Sequence, residues 1–209
     1  MLHEDKIINP LMNDKKVKGY LKKIKDFDKN TYEHCVRLSI LSMYLAYKNS
    51  FSQEEIKMLG YAGLLHDIGK LDIPIQILHR KRKLTDEEKK IVQEHPRLSF
   101  LRLNDPEFQE IRKIIVAHHE FQTKSYPRTN SDRRKEQRLN IERRKKDNKI
   151  RKLAEILSIC DMYDALASKR CYKKPLNKEE IEERIRKQFT GQKKYIRQIL
   201  NVPKDLSRC

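Results

Sequence analysis

Apolar residues recur at three- and four-residue intervals along most of the chain, and they nowhere alternate over a stretch long enough to pair as strands. That spacing commits the chain to helices that each bury one face. Val17, Tyr20, Leu21, Ile24 and Phe27 predict an amphipathic helix over 14–27, and Cys35, Leu38, Leu41 and Leu45 predict a second that starts after Asn30. Ser52 with Glu55 forms a capping box, in which side chains satisfy the free amides of a helix start. It opens a third helix through Ile56, Leu59 and Gly63 into His66, with Gly69 as the stop and Pro74 preventing simple continuation. Thr85 with Glu88 caps a helix that ends near His95 and Pro96. Phe108, Ile111, Ile114 and Ile115 place another that runs into His118, His119 and Glu120. Residues Ile150 to Ala167 form the most apolar predicted helix, and Asn177 with Glu180 caps a last amphipathic one. No internal repeat is visible. The expected fold is all-α, a bundle of about seven to nine helices built as one domain over residues 1–209.

Composition narrows the function classes. The charged fraction, 37%, equals the hydrophobic fraction, which suits a helical protein with strongly solvated faces. No run approaches the roughly 18 apolar residues of a membrane span, and the opening MLHEDKIINP lacks the apolar stretch of a secretory signal. Cys35, Cys160, Cys171 and Cys209 show no CxxC spacing, so a reducing cytoplasm is expected. The net charge of +18 would attract a nucleic acid, an acidic lipid surface or a phosphate-rich ligand. Much of the excess lies between Arg128 and Lys152, where twelve Lys or Arg stand against four Asp or Glu. Leu139 and Ile141 are too few for a packed face there, so residues 128–149 read as a solvated basic insertion.

The chemistry concentrates in few residues. Five of the seven histidines, His34, His66, His95, His118 and His119, sit at or beside predicted helix ends. A single such histidine is more often structural than a metal ligand. Asp67 adjoins His66, however, and Asp161 interrupts the apolar phrase LSICDMYDAL. An uncompensated carboxylate buried there would cost several kcal/mol or lose its charge, so it requires a cation or several donors. Adjacent His and Asp offer neutral nitrogen and anionic oxygen from one turn. A carboxylate can bridge two metals while imidazoles fill the outer positions.

The blocks TYEHCVRL, HDIGKLDIP, LTDEEKKIVQEHP, VAHHE, ILSICDMYDAL and KRCYKKPL follow one another along the chain. In that order and approximate spacing they resemble the HD superfamily of metal-dependent phosphohydrolases, and most of all its HD-GYP branch, which hydrolyses the bacterial messenger cyclic di-GMP. The resemblance runs from about Asp26 to Glu180. It implies an HD-type helical bundle and a centre of two divalent ions, iron or manganese. His34, His66, Asp67 and Asp161 would hold one ion, and Asp67 would bridge to a second held by His95, His118 and His119. Nitrogen and oxygen donors suit both metals. A water acidified between the cations would attack the phosphodiester phosphorus. Lys70 would meet a non-bridging phosphate oxygen, and Arg170 and Lys173 would form a second phosphate clamp that neutralises charge developing in the transition state. Asp164, one turn after Asp161, would support the ligands or accept the water's proton.

The departures bear on specificity. Where the family carries Asp-Gly and then Gly-Tyr-Pro, this chain reads HHEFQTKSYP, one residue shorter and without glycine, with Ser125 before Tyr126 and Pro127. Glycine permits positive φ and close approach of backbone to ligand, so this loop follows a different path. Asn30 stands where some relatives have a glutamate for a third metal, so two ions are expected. Ser99 replaces a usual glycine, with no role apparent from sequence. The expected function is a two-metal phosphodiesterase acting on cyclic di-GMP or a related cyclic dinucleotide. A nucleotide phosphohydrolase would share the metals and differ in the pocket. A non-catalytic signalling or binding module that keeps the metal site is the alternative from another class. The basic insertion would hang beside the pocket and steer an anionic substrate, with a nucleic-acid contact the less favoured role. Any regulation is expected from a partner protein or from the short N-terminal helix.

Overall fold

The computed structural model describes residues 4–80, 82–124, 141–168, 176–203 and 206. Among them the chain forms α1 (Glu4–Asn13), α2 (Lys15–Phe27), α3 (Lys29–Lys48), α4 (Gln53–Leu65), α5 (Ile75–Leu78), α6 (Asp86–Gln93), α7 (His95–Arg102), α8 (Ile111–Val116), α9 (Ile141–Ala167), α10 (Lys178–Gln188) and α11 (Lys193–Leu200). Short 3-10 turns lie at Ile68–Asp72 and Pro106–Phe108. Among the described residues the sole β pairing is an isolated antiparallel bridge between Gln122 and Phe189. The fold is all-α, as the periodicity requires. It divides more finely than expected, because α1 precedes the first predicted helix and α5 is a single turn.

The caps form where the sequence places them. Ser52 with Glu55, Thr85 with Glu88 and Asn177 with Glu180 each make a complete capping box. Asp28 closes α2 in extended conformation and accepts hydrogen bonds from the Asn30 and Thr31 amides, so α3 begins at Lys29, slightly earlier than predicted. Helix α9 begins at Ile141, nine residues ahead of the apolar stretch. The rest of the basic segment, 128–140, lies outside the described residues.

The buried apolar side chains form one connected cluster. Its centre is the packing of α3 on α4, with α9 laid against both and against α8, α10 and α11. Gly63 sets the α3–α4 distance: a methyl group there would sit 2.5 Å from the Ser39 Cα. Leu153, Ala154, Ile156, Leu157, Ile159 and Cys160 drive α9 into the core with no exposure, and burying each large aliphatic side chain contributes about 1.5–3 kcal/mol. That insertion carries Asp161 inward, to a polar hollow at the edge of the core. No helix of the described residues is long and apolar enough to cross a membrane.

Candidate metal centre

Helix ends explain why the histidines stand where they do. The last four carbonyls of a helix lack an intrahelical donor. The His66 ring donates Nδ1–H to the Gly63 carbonyl at the end of α4, at 2.9 Å. His95 does the same to Val92 of α6 at 2.8 Å, and His118 to Ile115 of α8 at 2.5 Å. Each ring sits three residues after its acceptor. With the proton fixed on Nδ1, each Nε2 presents a bare lone pair, the form in which imidazole binds metal.

The predicted ligands His34, His66, Asp67, His95, His118, His119 and Asp161 are all buried and line one cavity of about 280 Å³. They fall into two groups whose donor atoms lie within 4.8 Å of one another, His34 with His66 and Asp161, and His95 with His118 and His119. In the first, His34 Nε2 is 3.2 Å from His66 Nε2 and 3.2 Å from Asp161 Oδ1. In the second, His119 Nε2 is 3.3 Å from His95 Nε2. Asp67 stands between them. Its Oδ2 is 3.1 Å from His66 Nε2 and its Oδ1 is 3.4 Å from His95 Nε2, so one carboxylate offers an oxygen to each group.

Two cations fit these residues. Donors about 2.0–2.2 Å from a common ion lie roughly 3–3.5 Å apart, the spacing observed. Among the described residues Asp67 Oδ1 and His118 Nε2 are buried without a hydrogen-bond partner, which costs about 1–3 kcal/mol for each such atom. Both are acceptors, and a cation would satisfy both.

The electrostatics agree. Burial would raise the Asp67 and Asp161 carboxyls, but it is outweighed by the neighbouring His66 ring and the Lys70 ammonium at Asp67 and by the His34 hydrogen bond at Asp161, which hold both well below the usual range. Burial pushes His95 down to about 3 and His118 to about 4, so both rings are neutral donors at neutral pH. For His34 burial also opposes the charge, but hydrogen bonds to Asp161 and Asp164 prevail and raise it to about 9, so this ring would have to exchange its Nε2 proton for a cation in order to act as a ligand. Lys70 Nζ lies 2.6 Å from Asp67 Oδ2.

Several residues that the sequence did not single out complete the site. Arg37, one turn after His34 on α3, donates from Nε to Asp164 Oδ1 at 2.7 Å and from its terminal nitrogen to Oδ2 at 3.1 Å. Asp164 also accepts from His34 Nδ1 at 2.7 Å and from the Ser168 hydroxyl at 2.9 Å. Gln122 places its side-chain amide 2.9 Å from His119 Nδ1. The bridge to Phe189 fixes it there, flanked by Thr123 N–H to the Gln188 carbonyl at 2.8 Å and Thr190 N–H to the Phe121 carbonyl at 3.0 Å. Ser99 now has a role: its hydroxyl donates to the His66 carbonyl at 2.6 Å and accepts from the Gly69 amide at 2.8 Å. Cys35 Sγ lies 3.9 Å from His66 Nδ1, but burial raises its thiol well above the ordinary range and keeps it protonated. Arg170, Lys173 and the segment Ser125 to Pro127 lie outside the described residues.

Comparison with known proteins gives a consistent picture. A family model described as HD domain matches residues 16–133, a span that includes every candidate ligand except Asp161. A cyclic di-GMP phosphodiesterase of Pseudomonas aeruginosa is 34% identical over 79% of this chain and 37% of its own length. A cyclic di-GMP phosphodiesterase of Thermotoga maritima is 32% identical over 73% of this chain and 39% of its own. A 3'3'-cGAMP-specific phosphodiesterase of Vibrio cholerae is 30% identical over 75% and 28%. The chain thus spans less than two fifths of the length of these relatives. The solved HD domain of the L. monocytogenes phosphodiesterase PgpH, in complex with cyclic-di-AMP, superposes with a TM-score of 0.58 at 19% identity, over 90% of this chain and 93% of that one. The two share a fold.

Proposed function

The chain belongs to the HD domain family, and we propose that it is a two-metal phosphodiesterase that opens cyclic di-GMP or a related cyclic dinucleotide. The observation that carries this reading is the Asp67 carboxylate, with one oxygen toward each of two imidazole groups. The names of its relatives supply the substrate class.

His34, His66, Asp67 and Asp161 would hold one ion, and Asp67, His95, His118 and His119 the other. Iron or manganese matches these nitrogen and oxygen donors. When bound, the pair supplies Lewis acidity at a phosphoryl oxygen and lowers the pKa of a water. The chain's own residues do the rest. Lys70, partly exposed at the cleft and 2.6 Å from Asp67, is within reach of a phosphate oxygen once the carboxylate is shared with cations. Asp164 is engaged by His34, Arg37 and Ser168 and held well below the usual carboxylate range. It therefore acts by orienting His34 and is a poor acceptor for a water's proton. Arg170 and Lys173 remain the proposed second phosphate clamp. The free, buried thiols of Cys35 and Cys160 suit the reducing compartment expected from the sequence.

Elemental analysis after anaerobic reconstitution is expected to give two transition-metal ions per chain, and the loaded protein is expected to open a cyclic dinucleotide. Asp67→Ala should lose both ions, whereas His34→Ala should chiefly weaken one. Fewer than one ion bound, or no turnover of any cyclic dinucleotide by fully loaded protein, would overturn the assignment.

A further inference from the structure

Beside the metal cleft lies a second cavity of about 340 Å³, and the two share His34, Lys70 and Val92 as a common wall. We propose that this neighbouring cavity seats the nucleotide of the substrate whose phosphate is not at the metal centre. The proposal rests on the cyclic-dinucleotide reading above.

Size is the first argument. Ligand-sized clefts run from about 300 to 1,000 Å³, and the metal cleft, about 280 Å³, falls short of that range. A cyclic dinucleotide carries two nucleotides tied into one ring. Whatever places one phosphate over the metals leaves the other nucleotide immediately alongside. The adjoining cavity is in that position.

Its chemistry is the second argument. Ile77, Leu78, Leu84 and Val92 line one side, each only partly buried, and present an apolar wall to the face of a base. Arg80 stands at the rim. Its contact with Glu88 is 3.4 Å, whereas Arg82 holds Glu88 with two hydrogen bonds of 2.8 and 2.9 Å. Arg80 can therefore turn to a phosphate without leaving Glu88 unpaired. Opposite, Glu33 lines the cavity. Among the described residues its ion pair is a 3.5 Å contact with exposed Lys29, which leaves carboxylate oxygens available to base N–H groups.

The test compares two substrates on metal-loaded protein: a cyclic dinucleotide and bis(p-nitrophenyl) phosphate, a small diester that needs the metal cleft alone. Arg80→Glu reverses the rim charge at an exposed position, and Ile77→Trp fills the cavity. Each is expected to lower the ratio of kcat/KM for the dinucleotide to that for the small diester by about tenfold or more, as expected for loss of a charge-assisted contact. Equilibrium binding of the dinucleotide should weaken by a similar factor, with unchanged melting temperature and metal content. A parent that cleaves both substrates, with variants that preserve the ratio and the binding, overturns the subsite alone. A parent that cleaves the small diester but neither cleaves nor binds any cyclic dinucleotide overturns the proposed function and the subsite together.

Discussion

At the scale of single residues, Gln122 does for His119 what backbone carbonyls do for His66, His95 and His118. For His119 Nε2 to offer a lone pair, its proton must sit on Nδ1 and meet an acceptor. The Gln122 amide nitrogen lies 2.9 Å from that atom, and half a turn of the amide puts its oxygen in the same place. Partners of this kind change metal affinity by about 10–100-fold. Gln122→Leu is therefore expected to weaken binding of the ion that His95, His118 and His119 would hold by that factor and to spare the other. Gln122→Glu, which only accepts, should restore it. Titration of apo protein with metal against a competing chelator reads both sites, and equal weakening of the two ions, or none, would rule the role out. The residues alone singled out Asp161, a carboxylate in an apolar helix, and Asp67 beside His66 as needing a cation or donors, whereas the full set of predicted ligands came only with the family resemblance. Gln122 and Arg37 were not legible, because each acts through another ring or carboxylate. Arg37 meets Asp164 across 127 residues of chain, a distance no local pattern spans.

At the scale of elements, the turn that carries Asp67 depends on a close approach to α7. A methyl group at Gly69 would lie 2.3 Å from the His95 carbonyl oxygen and 2.4 Å from the Ser99 amide nitrogen, both backbone atoms. Neither can yield as a flexible side chain would. Gly69→Ala is expected to push α7 away from the turn, at a cost of about 1–3 kcal/mol, and to shift His95 relative to Asp67. Thermal unfolding should show a melting temperature lower by several degrees, together with weakened binding of the ion that His95 would hold. An unchanged melting temperature would show that the turn adapts. From sequence Gly69 was legible only as a helix stop. Capping boxes and long amphipathic helices could be read because their signals are local. The single turn α5 and the helix α1 carry too few apolar repeats to announce themselves, and Ser99 acquires a purpose only once α7 lies against the turn.

At the scale of the whole molecule, a charge of +18 was readable from composition, but its placement was not. The sequence drew attention to residues 128–152. Most of that segment lies outside the described residues; among the described ones Arg80 and Arg82, from the run HRKRK after α5, stand on the wall of the cavity beside the candidate metal centre. A positive field around such a cleft raises the encounter rate of an anionic substrate by about 10–10³-fold when salt is low. It does so without touching the chemical step. The Debye length falls from about 10 Å at 0.1 M salt to about 3 Å at 1 M. For a cyclic dinucleotide, kcat/KM is therefore expected to fall by roughly tenfold over that range, while kcat changes little. The singly charged bis(p-nitrophenyl) phosphate should show a shallower slope, since the attraction scales with ligand charge. A fall in kcat that matches the fall in kcat/KM would place the salt effect at the metal centre instead. Flat curves for both substrates would mean that the charge is a property of the surface composition and takes no part in capture.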